Sequence, residues 1–496
     1  MSVLDQYGNA TSSQYHLYGS SNRFDKGLQW TPDFNRDLED LFNANDWRST
    51  LTQSRLICAN FGVPRAAIIQ KADWAVGKAW DPQFLGADKD WADEHAKPFL
   101  EDWYKICDVR GDVYDFKSNL WLDSFAIDRD GDFFVLLTQT RSGYPQTQRI
   151  PAHRVGSRSD DMDGVKKGRF KGFKINKGII KNKIGRPVAC KILADEAKDD
   201  KIIPFSDIIH VLDPEYHDQD RGIPAFTASI KELRQAKTSE EWELMAQMML
   251  SSHALIEYNE QGGPDLDDPT HSFVSTGEED NNLVVQSYSG GMVKHFKSNS
   301  GGKVESISHN RPGDMWDTFQ DRIQRTACAG ANWPVELAWK MDGLNGVSIR
   351  NVQERARHSV EARQCVLKRH ALRIITWALA KAIKHEYIPA PSTPSDWRKW
   401  TFNMPPKLSI DPRHDAKTQI ESYKLGAKNM TEILQDQSKT HADHIRERCN
   451  EIVERKIIKA EVEAANPGVT IDDRELQMLN PNEMAPEEPN TQSSDE

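Results

Sequence analysis

The residues best spaced for chemistry are Asp128, Asp130 and Asp132 in Asp-Arg-Asp-Gly-Asp. Carboxylates at alternate positions open the calcium loop of an EF-hand, where they supply hard oxygen ligands. Here loop position six is Phe133 instead of Gly, and position twelve is Gln139 instead of Glu. A turn leading into a buried strand is the reading that remains. Gly301-Gly302-Lys303 resembles the end of a phosphate loop, but Val304 follows it and no glycine stands five residues before Gly302. His441 and His444 have neither the spacing nor the glutamate of a zinc-protease helix. No Gly-x-Ser-x-Gly occurs, and nothing separates a general acid–base pair from ordinary surface carboxylates. A nuclease would need a compact carboxylate cluster around a divalent metal, and none is visible. The expectation is a protein without catalytic residues, metal or cofactor.

The elements around these residues belong to a long, polar chain. Its 496 residues allow two to four domains. With 64 Lys and Arg against 75 Asp and Glu the net charge is −11, which argues against a general nucleic-acid binder, because such affinity comes largely from neutralising phosphates. An acidic protein with local basic stripes suits a task of touching DNA and releasing it. Six scattered cysteines without a Cys-x-x-Cys pair indicate reduced thiols. The N-terminus has no apolar signal core, and no stretch of roughly twenty apolar residues could span a bilayer.

Helical periodicity is expected from Asp33 to Gly77 and again over Asp88–Ile106, and a strand follows Asp132. Ile150–Val155, Pro187–Leu193 and Ile202–Pro214 read as short β segments between turns. From Pro224 a helical pattern runs for more than thirty residues, with Phe226, Ile230, Leu233 and Ala236 in one stripe that Trp242, Met245, Met248 and Met249 continue. Residues 259–312 are rich in Gly, Ser and Asp, with short strands, so the helices on either side lead into and out of a small β-rich excursion. Residues 411–459 read as helical. Residues 461–496 carry ten acids and one base, Arg474, and are expected to form a disordered acidic tail.

Two basic clusters stand out. Val165–Arg186 has nine Lys and Arg and no acid, which suits a solvated hairpin, an acidic neighbouring subunit or DNA. The second lies on one long helix bearing Arg350, Arg355, Arg357, Arg363, Lys368, Arg369, Arg373, Lys381 and Lys384; Val352, Val360, Leu367, Ile374, Ile375 and Leu379 bury its other side. That helix fits a salt-bridged subunit interface or a position near DNA. Before it, Glu336–Val347 reads as a loop with Gly343 and Gly346 as flexible points, serving either as a plain connection or as a functional loop.

The order of these parts resembles the lambda-type family of portal proteins of tailed bacteriophages, over roughly residues 30–455. The segments that carry the resemblance are DGDFFVLL, IPAHRV, the block from Ile208 to Leu233 with its Arg-Gly-x-Pro, WPVELAWKMDGLNGVSIRNVQERARH, and DPRHDAKTQIESYKLGAKNMTEIL. The lambda-type loop carries Tyr-Ser-Ser-x-Arg, where this chain has Asn345, Ser348 and Arg350 with Gly346-Val347 between. The resemblance implies an α+β portal fold assembled as a ring, typically of twelve copies, at one capsid vertex. It implies a 1–29 arm, a mixed α/β wing over 30–223, and a stem helix over 224–257. A clip over 258–312, a second stem helix over 313–333 and a tunnel loop over 334–348 would follow. A long helix over 349–388, a crown over 389–460 and the tail would complete the chain.

It further implies a non-enzymatic conduit for double-stranded DNA in the virion, built in the host cytoplasm. The implied partners are copies of the same chain, double-stranded DNA bound without sequence preference, the large terminase, a head-completion or adaptor protein, and major capsid and scaffold proteins, with no membrane and no cofactor. Candidate DNA-channel residues are Lys340, Asp342, Asn345, Ser348 and Arg350; candidate docking residues are Asp265, Asp267, Asp268, Glu278, Glu279 and Asp280. The rival readings are a minor capsid or adaptor protein without a channel, and a metal-dependent DNA-processing enzyme.

Overall fold

The computed structural model describes residues 42, 44–77, 80–158, 164–165, 168–196, 199–259, 273–274, 283–288, 291–297, 303–305, 314–341, 345–405, 412–436 and 441–465. The chain divides into two compact units: residues 1–77 with 82–402, and residues 78–81 with 403–496.

The first unit is α+β. Helices α1 (Ala44–Asn60) and α2 (Gly62–Val76) lie against α4 (Phe116–Asp130). Helix α2 buries Ala67, Ile68, Lys71, Ala72 and Ala75, a three-and-four spacing in which alanines allow close helix packing and one lysine interrupts. A helical run from Lys89 passes through a π-turn at Ala92–Ala96 into α3 (Lys97–Lys105), burying Trp91, Leu100 and Trp103. Helix α4 is capped by the Asp115 side chain, which accepts from the Ser118 N–H at 2.6 Å. It stops at Gly131, where φ is +85°. Strand β2 (Asp132–Gln139) starts at once, so the Asp-Arg-Asp-Gly-Asp run is the expected turn into a strand.

Strand β2 is central in an antiparallel sheet β3–β2–β8, with β3 at Pro145–Pro151 and β8 at Ile208–Leu212. Phe133, Phe134 and Val135 are all buried, as expected of a strand covered on both faces. Phe134 packs with Ile150, Val155, Ile179, Cys190 and Ile208, joining this sheet to an antiparallel sheet of β4 (Lys174–Asn176), β5 (Ile179–Lys181), β6 (Pro187–Ile192) and β7 (Lys201–Pro204). The unit also holds the two-stranded pair of β1 (Pro82–Phe84) and β14 (Trp400–Phe402).

Helix α5 spans Ile230–Ser252. The helical pattern expected to run past residue 252 ends there, and His253–Asn259 is strand β9. This strand lies in a sheet ordered β10–β11–β12–β9–β13, with β10 at Phe273–Val274, β11 at Leu283–Tyr288, β12 at Gly291–Lys297 and β13 at Lys303–Glu305. In α5 Ile230, Leu233 and Ala236 are buried, whereas Trp242, Met245 and Met248 are exposed, at 66%, 56% and 73%. Helix α6 (Asp314–Gly330) returns from the excursion, leaving Met315 and Phe319 exposed at its start.

A short helix α7 (Val335–Ala338) precedes α8, Gly346–Lys384. At 39 residues α8 is about 58 Å long. Its buried residues begin at Ala356 and continue through Val360, Leu367, Ile374 and Leu379 to Ala382, all on one stripe. In the second unit, α9 (Pro412–Lys424), α10 (Met430–Asp436) and α11 (His441–Ala465) follow one another, and α10 buries Ile433 and Leu434. Helix α11 runs to Ala465, so the segment expected as a tail begins in helix; the rest of it lies outside the described residues.

Candidate nucleic-acid interface and its buried mount

The acids of the Asp-Arg-Asp-Gly-Asp run are each held by bases. Asp128 Oδ1 accepts from Lys71 Nζ at 3.1 Å and from Arg363 Nη2 at 2.5 Å. Burial pushes the Lys71 ammonium below its usual range, with Asp128 opposing. Asp130 takes Arg55 and Arg129, both through two nitrogens. Asp132 receives Arg221 as a fork, Nε to Oδ2 at 2.7 Å and Nη2 to Oδ1 at 3.0 Å, and His210 at 3.0 Å. Burial alone would raise the Asp132 carboxyl, but Arg221 and His210 outweigh it and hold it well below the carboxylate range. Both oxygens of Asp130 and Asp132 are occupied by cations, and Asp128 is left with only Oδ2 unpartnered. Among the described residues no group of carboxylates, histidines and cysteines could hold a metal ion.

Arg221 explains the Arg-Gly-x-Pro signature. Its remaining donors go to the carbonyls of Val155 at 2.8 Å, Lys177 at 2.6 Å and Ala152 at 2.9 Å. The guanidinium lies 4.0 Å from the centre of the Trp47 ring. Gly222 sits against Gly131, and a side-chain carbon on either would collide with the other's backbone. One arginine and two glycines thus bind α4, β2 and the second sheet together.

The candidate DNA-facing loop is mounted on this framework at both ends. At its start, Trp333 Nε1 donates to Gln70 Oε1 at 3.1 Å, and Gln70 Nε2 donates to the Leu337 carbonyl at 3.1 Å. Trp333 also meets Trp74 edge to face, with ring centres 5.0 Å apart. Next to Gln70, Lys71 Nζ donates to the Ala331 carbonyl at 3.0 Å. At its end, Asn345 caps α8, its side chain accepting from the Ser348 N–H at 2.8 Å. About two turns into the buried part of α8, Arg363 returns to Asp128. Both roots of the loop therefore lead to Asp128.

The expected tunnel loop over 334–348 is shorter in the structure. Residues 335–338 are helical because Pro334 sets up the start of α7, and Gly346–Ser348 form the first turn of α8. Gly346 therefore belongs to a helix, and the intervening segment is 339–345. Lys340 is exposed on it, as are Trp339 (63%) and Met341 (55%). Asp342 lies outside the described residues. Asn345 and Ser348 are joined by the cap, and Arg350 is exposed two residues further along. Asp265, Asp267, Asp268, Glu278, Glu279 and Asp280 also lie outside the described residues.

Within the basic stripe of α8 the structure makes one correction. Arg363 is buried inside its own chain, and Arg373 donates to the Phe205 carbonyl at 2.9 Å. Sequence reading overlooked Lys71, Asp128 and Arg363 as a connected set, and Arg221 as the partner of Asp132. The available signal was phase: Lys71 and Arg363 stand in the apolar stripes of their helices, where a solvated cation has no place.

The matching family model, described as phage portal protein, lambda family, covers residues 29–364. The chain belongs to that family. Portal proteins are structural parts of the particle and not enzymes, which removes the DNA-processing reading. No curated protein matches the portal chain in sequence. Among solved structures it is similar to "Neck of native GTA particle computed with C12 symmetry", at 12% identity and a TM-score of 0.46, covering 79% of this chain and 94% of that one. "Neck of empty GTA particle computed with C6 symmetry" is similar at 13% identity and a TM-score of 0.43, covering 78% and 93%. An HK97 family phage portal protein from Corynebacterium diphtheriae is similar at 10% identity and a TM-score of 0.29, covering 63% and 88%. No helix among the described residues of this portal chain is long and apolar enough to cross a membrane.

Proposed function

We propose that this portal chain closes into a ring of about twelve copies at one capsid vertex and forms the conduit through which double-stranded DNA enters and leaves the particle. The observation that carries the ring is the exposed apolar side of the stem. Trp242, Met245 and Met248 on α5, with Met315 and Phe319 on α6, stand in water in a single subunit. Contiguous exposed apolar side chains of this size mark an interaction surface. A second copy supplies the cover, and a head-to-tail contact repeated by rotation closes.

The conduit reading rests on the loop at 339–345, which carries one exposed cation, Lys340, on a fixed mount. Sequence-independent handling needs weak phosphate contacts and no base readout. The net charge of −11 limits how firmly DNA is gripped. On this reading 30–223 is the wing, 224–257 and 313–333 are the stem, 258–312 is the clip, 349–388 is the long helix and 389–460 is the crown. The acids from Asp265 to Asp280 suit docking of a basic face on the large terminase or a head-completion protein; major capsid and scaffold proteins meet the ring's outer surface. Negative-stain electron microscopy of purified protein, alone and with scaffold and capsid protein, tests this directly. Rings with a central hole are expected; protein that never forms them overturns the proposal.

A further inference from the structure

The basic segment Val165–Arg186 folds into β4, β5 and the turn before β6. Two of its cations turn inward: Lys177 is buried over the Phe42 ring, and Lys181 pairs with Asp220. Arg169, Lys171, Lys174, Lys183 and Arg186 face solvent. The turn between β5 and β6 is firmly built. Asn182 Oδ1 accepts from the N–H groups of Ile184 at 3.0 Å and Arg186 at 2.9 Å. Gly185 N–H donates to the Asn182 carbonyl at 3.0 Å, with Gly185 at φ +83°. At its tip Ile184 is 91% exposed, the most exposed large apolar side chain among the described residues. A rigid turn that holds an isoleucine out between Lys183 and Arg186 is pre-organised for an apolar site with acidic edges.

The same unit contains such a site elsewhere. An open cavity of about 450 Å³ between α2 and the start of α4 is lined by Val76, Val113, Tyr114, Trp121 and Leu122. It has room for one isoleucine side chain and part of its turn. Asp73 lies at its edge, accepting from Trp121 Nε1 at 2.6 Å, and Asp112 and Asp115 flank Val113 in the chain. One cation, Lys117, also lines it. Val113 is 78% exposed at the rim.

We infer that the Asn182–Arg186 turn of one copy seats Ile184 in the Val113–Trp121 cavity of the next copy around the ring, with its basic flanks against Asp112 and Asp115. The inference rests on the ring reading above. A knob and a socket at different places on one subunit make a head-to-tail contact, the kind a rotational ring repeats. A protein partner accounts for Ile184, which a phosphate backbone would not; the charges add orientation and salt sensitivity.

The test replaces the two exposed cysteines (Cys365→Ser, Cys449→Ser) and adds Ile184→Cys with Val113→Cys. Rings of this protein, treated with a mild oxidant, are expected to give a ladder of covalent multimers on a non-reducing gel, whereas rings carrying either added cysteine alone give monomer. In parallel, Ile184→Asp is expected to lower the ring fraction at least tenfold at equal concentration, with an unchanged monomer circular dichroism spectrum. Intact rings that yield no cross-link, or Ile184→Asp rings as abundant as the parent's, overturn the contact while leaving the ring reading in place. Duplex DNA that binds the parent and is lost on Lys183→Glu with Arg186→Glu, rings being unaffected, overturns it in favour of a DNA surface. A parent that forms no rings removes the ring reading and this contact with it.

Discussion

Lys71 and Arg363 share one oxygen, Oδ1 of Asp128, although they come from helices far apart in sequence. Two buried cations on one carboxylate leave a local positive excess once the acid is removed. Asp128→Asn is expected to destabilise the first unit by about 3–5 kcal/mol, the usual cost of stranding a buried charge. Adding Lys71→Met and Arg363→Leu to an Asp128→Leu chain should restore most of that loss, because apolar replacements of similar volume often match a buried ion pair. Urea unfolding followed by tryptophan fluorescence measures both, and a triple variant no better than Asp128→Asn contradicts the account.

The contact between Gly131 and Gly222 predicts a steric effect that charge does not enter. Gly222→Ala puts a carbon into the backbone of Gly131 and Asp132. Arg221→Ala removes the two-pronged cation from Asp132 and takes a donor from each of three buried carbonyls. Both should cost about 3 kcal/mol or more. Soluble yield and melting temperature read this; a Gly222→Ala protein that melts like the parent would mean the turns can part freely.

Acid should loosen the first unit in a defined window. Asp123, Asp130 and Asp132 each have a carboxyl lowered in the folded state: burial raises it, and Arg149 with His370, Arg55 with Arg129, and Arg221 with His210 outweigh burial. A group depressed on folding contributes stability above its unfolded pKa, near 4, and loses it as pH falls through the folded value. Stability should therefore be flat with respect to these groups above about pH 5 and fall below about pH 4. Urea midpoints at pH 3, 4, 5 and 7 check this, and Asp132→Asn should flatten the acid limb.

Lys340→Glu tests the loop. The side chain is exposed, so folding should change by less than about 0.5 kcal/mol. One exposed contact with phosphate is worth about 1 kcal/mol or less. Repeated around a ring, its reversal should shorten the packaged genome or lower its retention, more strongly at low salt. Full-length genomes held normally by the variant would reduce the loop to a connection.

The six acids from Asp265 to Asp280 offer a separate test, since neutralising them leaves the described core untouched. Terminase or adaptor binding should weaken, and the difference should shrink as salt rises. Equal binding by parent and variant across a salt series would count against docking there.

How much was legible in sequence depends on the kind of force involved. The stripe of α8 from Val360 to Leu379 and the turn at Gly131 were readable because periodicity and glycine report local geometry. Arg221 was noticed as part of a signature, but its five donors could not be matched to carbonyls at Ala152, Val155 and Lys177 without coordinates. Lys71 drew no notice and Arg363 was grouped with the basic stripe of α8, because a sequence does not show what lies across a helix pair. At Ser252 the change to strand lies in His-Ala-Leu-Ile-Glu-Tyr, where Ile and Tyr favour strand and the helical count alone did not register it. The apolar stripe that ran on through Trp242 and Met248 is exposed there in the single subunit, which helical spacing alone does not show.

The burial pattern of α8 has a mechanical consequence. No residue from 346 to 355 is buried, whereas the helix is gripped from Ala356 to Ala382. A stiff rod clamped along most of its length, with an unburied end of about 15 Å, behaves like a cantilever. Its bending compliance rises steeply with the length of the overhang, so a short one barely deflects. A sideways load on Lys340 is therefore not absorbed as bending but delivered as torque to the clamp, where Arg363 meets Asp128. Whatever pulls on the loop is felt first by a buried ion pair inside the first unit.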